Sequence, residues 1–301
     1  MKRVFFILIA LLAVSFSQGQ QVQQFTQYRL SGFAFNPAFA GSDDLFNVMA
    51  THRTQWSGID DAPRTYFLGL HAPSANRKMG FGGTIFTDVA GPTRRTGLQG
   101  AYSYPLKVND NSKVALGVSF AITQFAIDGT QITLREQNDQ ALMNMMQSEI
   151  KPDASFGALW YSDRFFVGLS ATQLLNNELT LFQGDTEGRM AIHYFLTGGY
   201  RFSVSEMFDI EPFALIKYVS PLEPQADISA RAIYNGNLWL GATYRTSDAA
   251  AVFAGYEIMD YLTLGYSIDF TTSELRNYSN GTHEIYLGVR FGKEKMIDPE
   301  P

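Results

Sequence analysis

Near its end the chain reads Glu284-Ile285-Tyr286-Leu287-Gly288-Val289-Arg290-Phe291. Successive side chains of an extended strand point to opposite faces. Ile285, Leu287, Val289 and Phe291 therefore make one unbroken apolar face, and Glu284, Tyr286, Gly288 and Arg290 share the other. The charged face cannot be buried in hydrocarbon, and the apolar face is unsuited to water. A strand that divides lipid from an aqueous or protein-filled lumen satisfies both.

The same division recurs along the chain. Leu262, Leu264, Tyr266, Ile268 and Phe270 alternate with Thr263, Gly265, Ser267 and Asp269. Val114, Leu116, Val118, Phe120 and Ile122 alternate with Ala115, Gly117, Ser119 and Ala121. About fourteen such runs are legible, an even number as single-chain bacterial barrels require. They fall at 44–56, 62–72, 78–88, 94–106, 112–126, 153–162, 164–173, 188–203, 207–219, 224–235, 237–246, 249–258, 261–271 and 282–292. Most are near the ~10 residues that a tilted strand needs to cross a bilayer. Short links such as Asn235-Gly236-Asn237 are hairpin chemistry, and the longer links belong on the extracellular side. The longest, about 127–152, contains a Met-rich stretch (135–146) that reads as a short helix packed as a cap.

Composition agrees. The 301 residues are 46% hydrophobic and 14% aromatic but only 17% charged, below the roughly one-quarter usual for soluble domains. A soluble β-sandwich would need polar outward faces, which these strands lack. Lys2 and Arg3 followed by the apolar stretch 4–16 and Ser17-Gln18-Gly19 read as a signal peptide over residues 1–19. No cysteine is present, which excludes disulfides and thiolate chemistry. A formal charge of −6 argues against nucleic acid as a partner. The expected architecture is an all-β transmembrane antiparallel β-barrel over 44–292, an N-terminal plug or periplasmic segment over 20–43, and a tail over 293–301.

Nothing in the sequence assembles a catalytic centre. His52, His71, His193 and His283 are far apart and fit no metal-binding spacing. Gly80-Phe81-Gly82-Gly83 imitates a phosphate loop, but it lies inside an alternating strand with no helix after it. Glycine there suits close approach of a plug segment to the wall. The reading is non-enzymatic, with no catalytic residue, metal or cofactor. Inward Arg53, Arg201, Arg231, Arg245 and Arg290 face inward Asp227, Glu257, Asp269 and Glu284, which predicts luminal ion pairs that brace a plug or line a pore.

Residues 20–43 are too polar and too rich in turn residues for a membrane strand, because Asn36-Pro37 and Ala40-Gly41 break regular structure. The segment is expected to enter the lumen or line the periplasmic mouth, anchored by Tyr28, Phe33, Phe35 and Phe39. Trp56 is expected to anchor the end of the first strand at the membrane interface.

An ordered motif series begins in this segment: Gln24-Phe25-Thr26-Gln27-Tyr28, Asn36-Pro37-Ala38-Phe39-Ala40-Gly41, Arg53-Thr54-Gln55-Trp56-Ser57-Gly58 and Ala62-Pro63. It continues through Gly80-Phe81-Gly82, Asp88-Val89-Ala90-Gly91-Pro92 and Thr96-Gly97. The series resembles the PorP/SprF family of the Bacteroidota type IX secretion system. The resemblance implies an outer-membrane protein serving secretion, surface display of adhesins and, in some species, gliding motility. It implies as partners a periplasmic ring-forming lipoprotein with its own partner, or a surface protein held through its C-terminal sorting domain, besides the lipid bilayer. Tyr28, Phe33, Phe35, Asn36, Pro37, Phe39, Arg53 and Trp56 are the candidate plug or partner residues. The competing reading is a diffusion channel or transporter for small solutes.

Overall fold

The alternation closes into a ring. The computed structural model describes residues 22–43, 45–131, 146–181 and 188–292. Seven strands come first: β1 (Phe46–Thr54), β2 (Arg64–Pro73), β3 (Gly80–Ala90), β4 (Thr93–Asn109), β5 (Ser112–Asp128), β6 (Met146–Tyr161) and β7 (Phe165–Thr172). A small separate hairpin, β8 (Glu178–Leu179) with β9 (Gly188–Arg189), precedes β10 (His193–Tyr200) and its brief continuation β11 (Phe202–Ser203). The remainder are β12 (Phe208–Val219), β13 (Gln225–Tyr234), β14 (Leu238–Arg245), β15 (Ala249–Ile258), β16 (Leu262–Thr271) and β17 (Thr282–Phe291).

Each barrel strand pairs antiparallel with its sequence neighbour, β10 pairs β12, and β1 pairs β17 to close a ring of 14 strands. Closure leaves no strand edge unpaired, as a lipid environment demands. The seam is in register from Phe46 opposite Phe291 to Thr54 opposite His283. Along β17 the inward Glu284 and Tyr286 are buried while Ile285 and Leu287 are exposed, and β1, β2 and β16 repeat the pattern.

Two of the expected runs differ from the fold. The sixth strand begins at Met146 rather than 153, so the wall there is taller than the apolar pattern alone indicated. The run expected over 188–203 divides: its first residues form β9, and the barrel strand proper starts at His193. Leu179, Leu181 and Met190 around the small hairpin bury against Phe125 and Ile127 of β5, which explains why the first residues of that run leave the ring. The signal peptide at 1–19, most of the Met-rich stretch and the tail at 293–301 lie outside the described residues.

The two ends of the barrel are unequal. Links at the end where β1 begins and β17 finishes have two to six residues. The opposite end carries the long links 55–63, 129–145, 173–192 and 272–281. By the usual asymmetry of such barrels the short-turn end faces the periplasm and the long-link end faces outward.

Candidate functional site

The lumen is occupied by the chain's own N-terminal segment. Residues 22–43 contain a turn at 26–30 and two 3-10 turns, Gly32–Ala34 and Pro37–Phe39, and their backbone runs against strands on all sides of the ring. Phe25, Tyr28, Phe33, Phe35 and Ala38 are at most 5% exposed and form one cluster with inward side chains of the wall, among them Phe67, Leu159, Phe195 and Phe213. The Phe25 ring meets Phe35 and Phe67 edge-on at 5.8 and 5.5 Å, and Phe35 meets Phe195 at 5.3 Å. Phe33 packs on His71 at 5.2 Å and Phe39 on Phe166 at 6.4 Å.

Asn36 is the most specific of these contacts. Its side-chain amide donates to two wall carbonyls, Ala158 O at 3.0 Å and Leu169 O at 3.2 Å, on paired residues of β6 and β7. Its side-chain oxygen accepts from Ala38 N at 2.9 Å, capping the 3-10 turn that Pro37 opens. Asparagine at the cap and proline at the first position suit such a start. The wall opposite is cut back to receive it. A Cβ at Gly157 would strike the Asn36 side chain, and one at Gly117 would strike the backbone of Pro37 and Ala38. Gly80 and Gly82 admit Ala40 O and the Phe33 ring in the same way. Ser170 and Ser103 then donate to the segment's carbonyls at Phe35 and Ala40, at 2.7 and 2.5 Å.

Toward the long-link end the segment joins a buried ionic network. Glu284 accepts the backbone N–H groups of Thr26 and Gln27 at 2.8 and 2.9 Å. The Thr26 hydroxyl donates to Asp269 at 2.7 Å and accepts from Arg53 at 2.9 Å. Arg53 also pairs with Asp269 at 2.7 Å and Glu284 at 3.0 Å. Arg245 continues the chain to Asp269 at 2.9 Å, Asp227 at 3.0 Å and Asp248 at 3.3 Å. Arg53, Asp269 and Glu284 are no more than 2% exposed, so each charge depends on these partners for its compensation. The Tyr28 hydroxyl lies among Ser229 Oγ and the carbonyls of Phe213 and Asp227, at 2.9 to 3.2 Å. Burial raises its pKa above the ordinary phenol value, which keeps it a neutral donor.

The structure thus brings Tyr28, Phe33, Phe35, Asn36, Pro37, Phe39 and Arg53 into the filled lumen. Trp56 lies one turn beyond β1 with φ of 45°, half-buried, its backbone N–H donating to Thr282 Oγ1 at 3.1 Å. It lines a cavity of about 180 Å³ at the long-link end with Gln24, Gln225 and Thr271. A larger cavity of about 310 Å³ opens at the short-turn end, where Arg29 from the segment pairs with Glu211 at 2.8 Å and Arg231 shares that carboxylate at 2.5 Å. Arg201, which pairs with Asp209, and the Arg290–Glu257 pair complete its ionic lining. Sequence reasoning missed Thr26, Arg29 and Glu211. Thr26 and Arg29 sit in an irregular segment without periodicity, whereas Glu211 was reachable as an inward charge in β12. Among the described residues no group of three or more His, Asp or Glu is placed to hold a metal ion.

The architecture is similar to that of solved outer-membrane proteins at low identity. The CymD monoaromatic hydrocarbon channel superposes with a TM-score of 0.52 at 12% identity, covering 88% of this chain and 93% of its own. Omp33 of Acinetobacter baumannii gives 0.48 at 11%, covering 83% and 100%. The toluene transporter TodX of Pseudomonas putida gives 0.48 at 10%, covering 91% and 95%. No curated protein matches in sequence. The family model described as "Type IX secretion system membrane protein PorP/SprF" matches residues 17–289, a span that takes in the whole described luminal segment and reaches into the last strand. This outer-membrane barrel belongs to the PorP/SprF family of type IX secretion system membrane proteins.

Proposed function

We propose that the barrel is a plugged, non-enzymatic component of the secretion system, which supports secretion or surface anchoring of cargo by binding protein partners. The observation that carries this reading is the lumen-filling segment. A diffusion channel needs a continuous wet path, whereas here Asn36, the Phe25–Phe67 and Phe35–Phe195 contacts and the bonds of Thr26 with Arg53 and Asp269 join the segment to opposite walls. With the lumen occupied, the surfaces left for partners are the two ends. The short-turn end, with its arginine- and carboxylate-lined cavity, suits a periplasmic partner such as the ring lipoprotein. The long links suit a secreted or surface-displayed protein. The signal peptide over 1–19 provides export, and Trp56 marks the outer rim.

Purified protein in planar bilayers should show no steady large conductance, and mild-detergent purification from native membranes should recover a large surface protein or the periplasmic ring components. Steady conductance by the intact chain, together with no co-purified partner, would reverse the assignment in favour of a solute channel.

A further inference from the structure

The outer face of the barrel is apolar except on one quadrant at the long-link end. Thr65 is buried and donates to Asp88 at 2.7 Å, and Arg95 pairs with the same carboxylate at 2.6 Å inside the wall. Their chain neighbours Arg64 and Arg94 therefore point outward, and both are exposed. They are the two arginines on the outer face of the described barrel strands, and neither makes an ion pair among the described residues. Register places them at one height: Arg64 lies opposite Val89, and Val89 opposite Arg94. Two strand spacings separate the arginines, ~10 Å, with only the short Val89 side chain between them. On the other side Arg64 lies opposite Thr54, and Thr54 opposite His283.

The polar row extends one step down the wall. His283 Nδ1 and the Tyr266 hydroxyl are 2.7 Å apart, and His52 stacks on Tyr66 with ring centroids at 4.6 Å. Below these the outward side chains become Leu68, Leu70, Leu98 and Leu287, all exposed. The row thus caps the apolar belt at the height where headgroups begin. Elsewhere the same rim presents aromatic residues such as Tyr218, Tyr244 and Phe270. The outward carboxylate of β5, Asp128, accepts from the Thr130 hydroxyl at 2.6 Å.

An arginine at a membrane boundary with no carboxylate partner is open to an anion, and the guanidinium fork matches phosphate oxygens in two-point hydrogen bonds. We propose that Arg64 and Arg94, with His283, Thr54 and Tyr66 beside them, form a binding site for the phosphorylated headgroup of an outer-leaflet glycolipid. The apolar ladder beneath takes its acyl chains. The site is fixed on one side of the barrel, so it would orient the protein's β17–β4 face toward bound glycolipid and leave the opposite face free.

The test uses the full-length protein extracted from its own membrane. The double variant Arg64→Ser/Arg94→Ser, Arg64→Lys/Arg94→Lys and a control, Lys78→Ser/Arg276→Ser in the links, are compared with the parent. Heat-modifiable gel migration checks that each barrel is folded. Co-purified glycolipid phosphate is then measured, and binding to lipopolysaccharide-containing vesicles is compared with binding to phosphatidylglycerol vesicles. The serine pair should lose about tenfold in retained glycolipid while the control keeps it, and the lysine pair should fall between them. Equal retention by the folded serine variant, or retention of phosphatidylglycerol equal to that of lipopolysaccharide, would overturn the assignment.

Discussion

Asn36→Ala isolates the attachment of the luminal segment without touching a strand. The alanine removes two bonds to buried carbonyls, at Ala158 and Leu169, and the cap on Ala38 N. Each lost bond is worth about 1 kcal/mol net, and the cap about 1 kcal/mol more. The sum, ~3 kcal/mol, corresponds to a rise of about a hundredfold in the population of the undocked segment. Hydrogen exchange read by mass spectrometry suits the measurement, because a local opening accelerates exchange in proportion to that population. Amides of residues 38–43 should exchange about a hundredfold faster, while those of the β1–β17 seam stay protected. Gly157→Val tests the same contact from the wall, since its side chain takes the space of Asn36. If Asn36→Ala left exchange in 38–43 within a few-fold of the parent, the niche would not be what holds the segment.

Arg53→Met should destabilise the folded barrel by about 3–5 kcal/mol, because Glu284 and Asp269 lose a buried partner; thermal unfolding followed by gel migration reads it. The double variant Arg53→Met/Glu284→Leu should lose less than the sum of the two single changes. Phe35→Ala should cost about 3–5 kcal/mol through the cavity left between Phe25 and Phe195, measured by denaturant unfolding in detergent. Tyr28→Phe should cost only about 1 kcal/mol, since the ring stays packed on Phe213 while one hydroxyl is lost. Excision of residues 22–41 should give a conductive pore if the barrel refolds, and a silent bilayer from that variant would count against occlusion by the segment.

The wall was legible because period two is a strong signal when one face must be apolar and the other carries charge. Glu284, Arg53, Asp269 and Arg245 could each be assigned inward from their neighbours alone. Their pairing could not, since Arg53 meets Asp269 through the closure of β1 on β17 and β16, a contact between residues 216 positions apart. The luminal segment was legible from its polar, turn-rich composition and its aromatic anchors, but its individual contacts were not, for a different reason. Its side chains obey no period, and its partners are glycines such as Gly117 and Gly157, whose absent side chains leave no mark in a hydrophobicity pattern. Likewise Met190 looks like a strand residue, and only its burial with Leu179 and Leu181 against Phe125 and Ile127 explains its diversion from the ring.

The seam between β1 and β17 bears on how such a ring can be made. The segment lies immediately before β1, yet Gln24 contacts Gln225 near the long-link end, and β1 starts at the short-turn end. The chain therefore traverses the interior lengthwise before it enters the wall. Five aromatic rings, at Phe25, Tyr28, Phe33, Phe35 and Phe39, occupy that path in close contact with wall side chains. Threading them into a finished cylinder would require the wall to give way at each ring. Laying them on a curved, still open sheet requires only that the final hydrogen-bonded ladder form afterwards. On a route where the sheet closes last, the luminal segment would serve as the form around which it is wrapped, and pairing of the first strand with the last would enclose it.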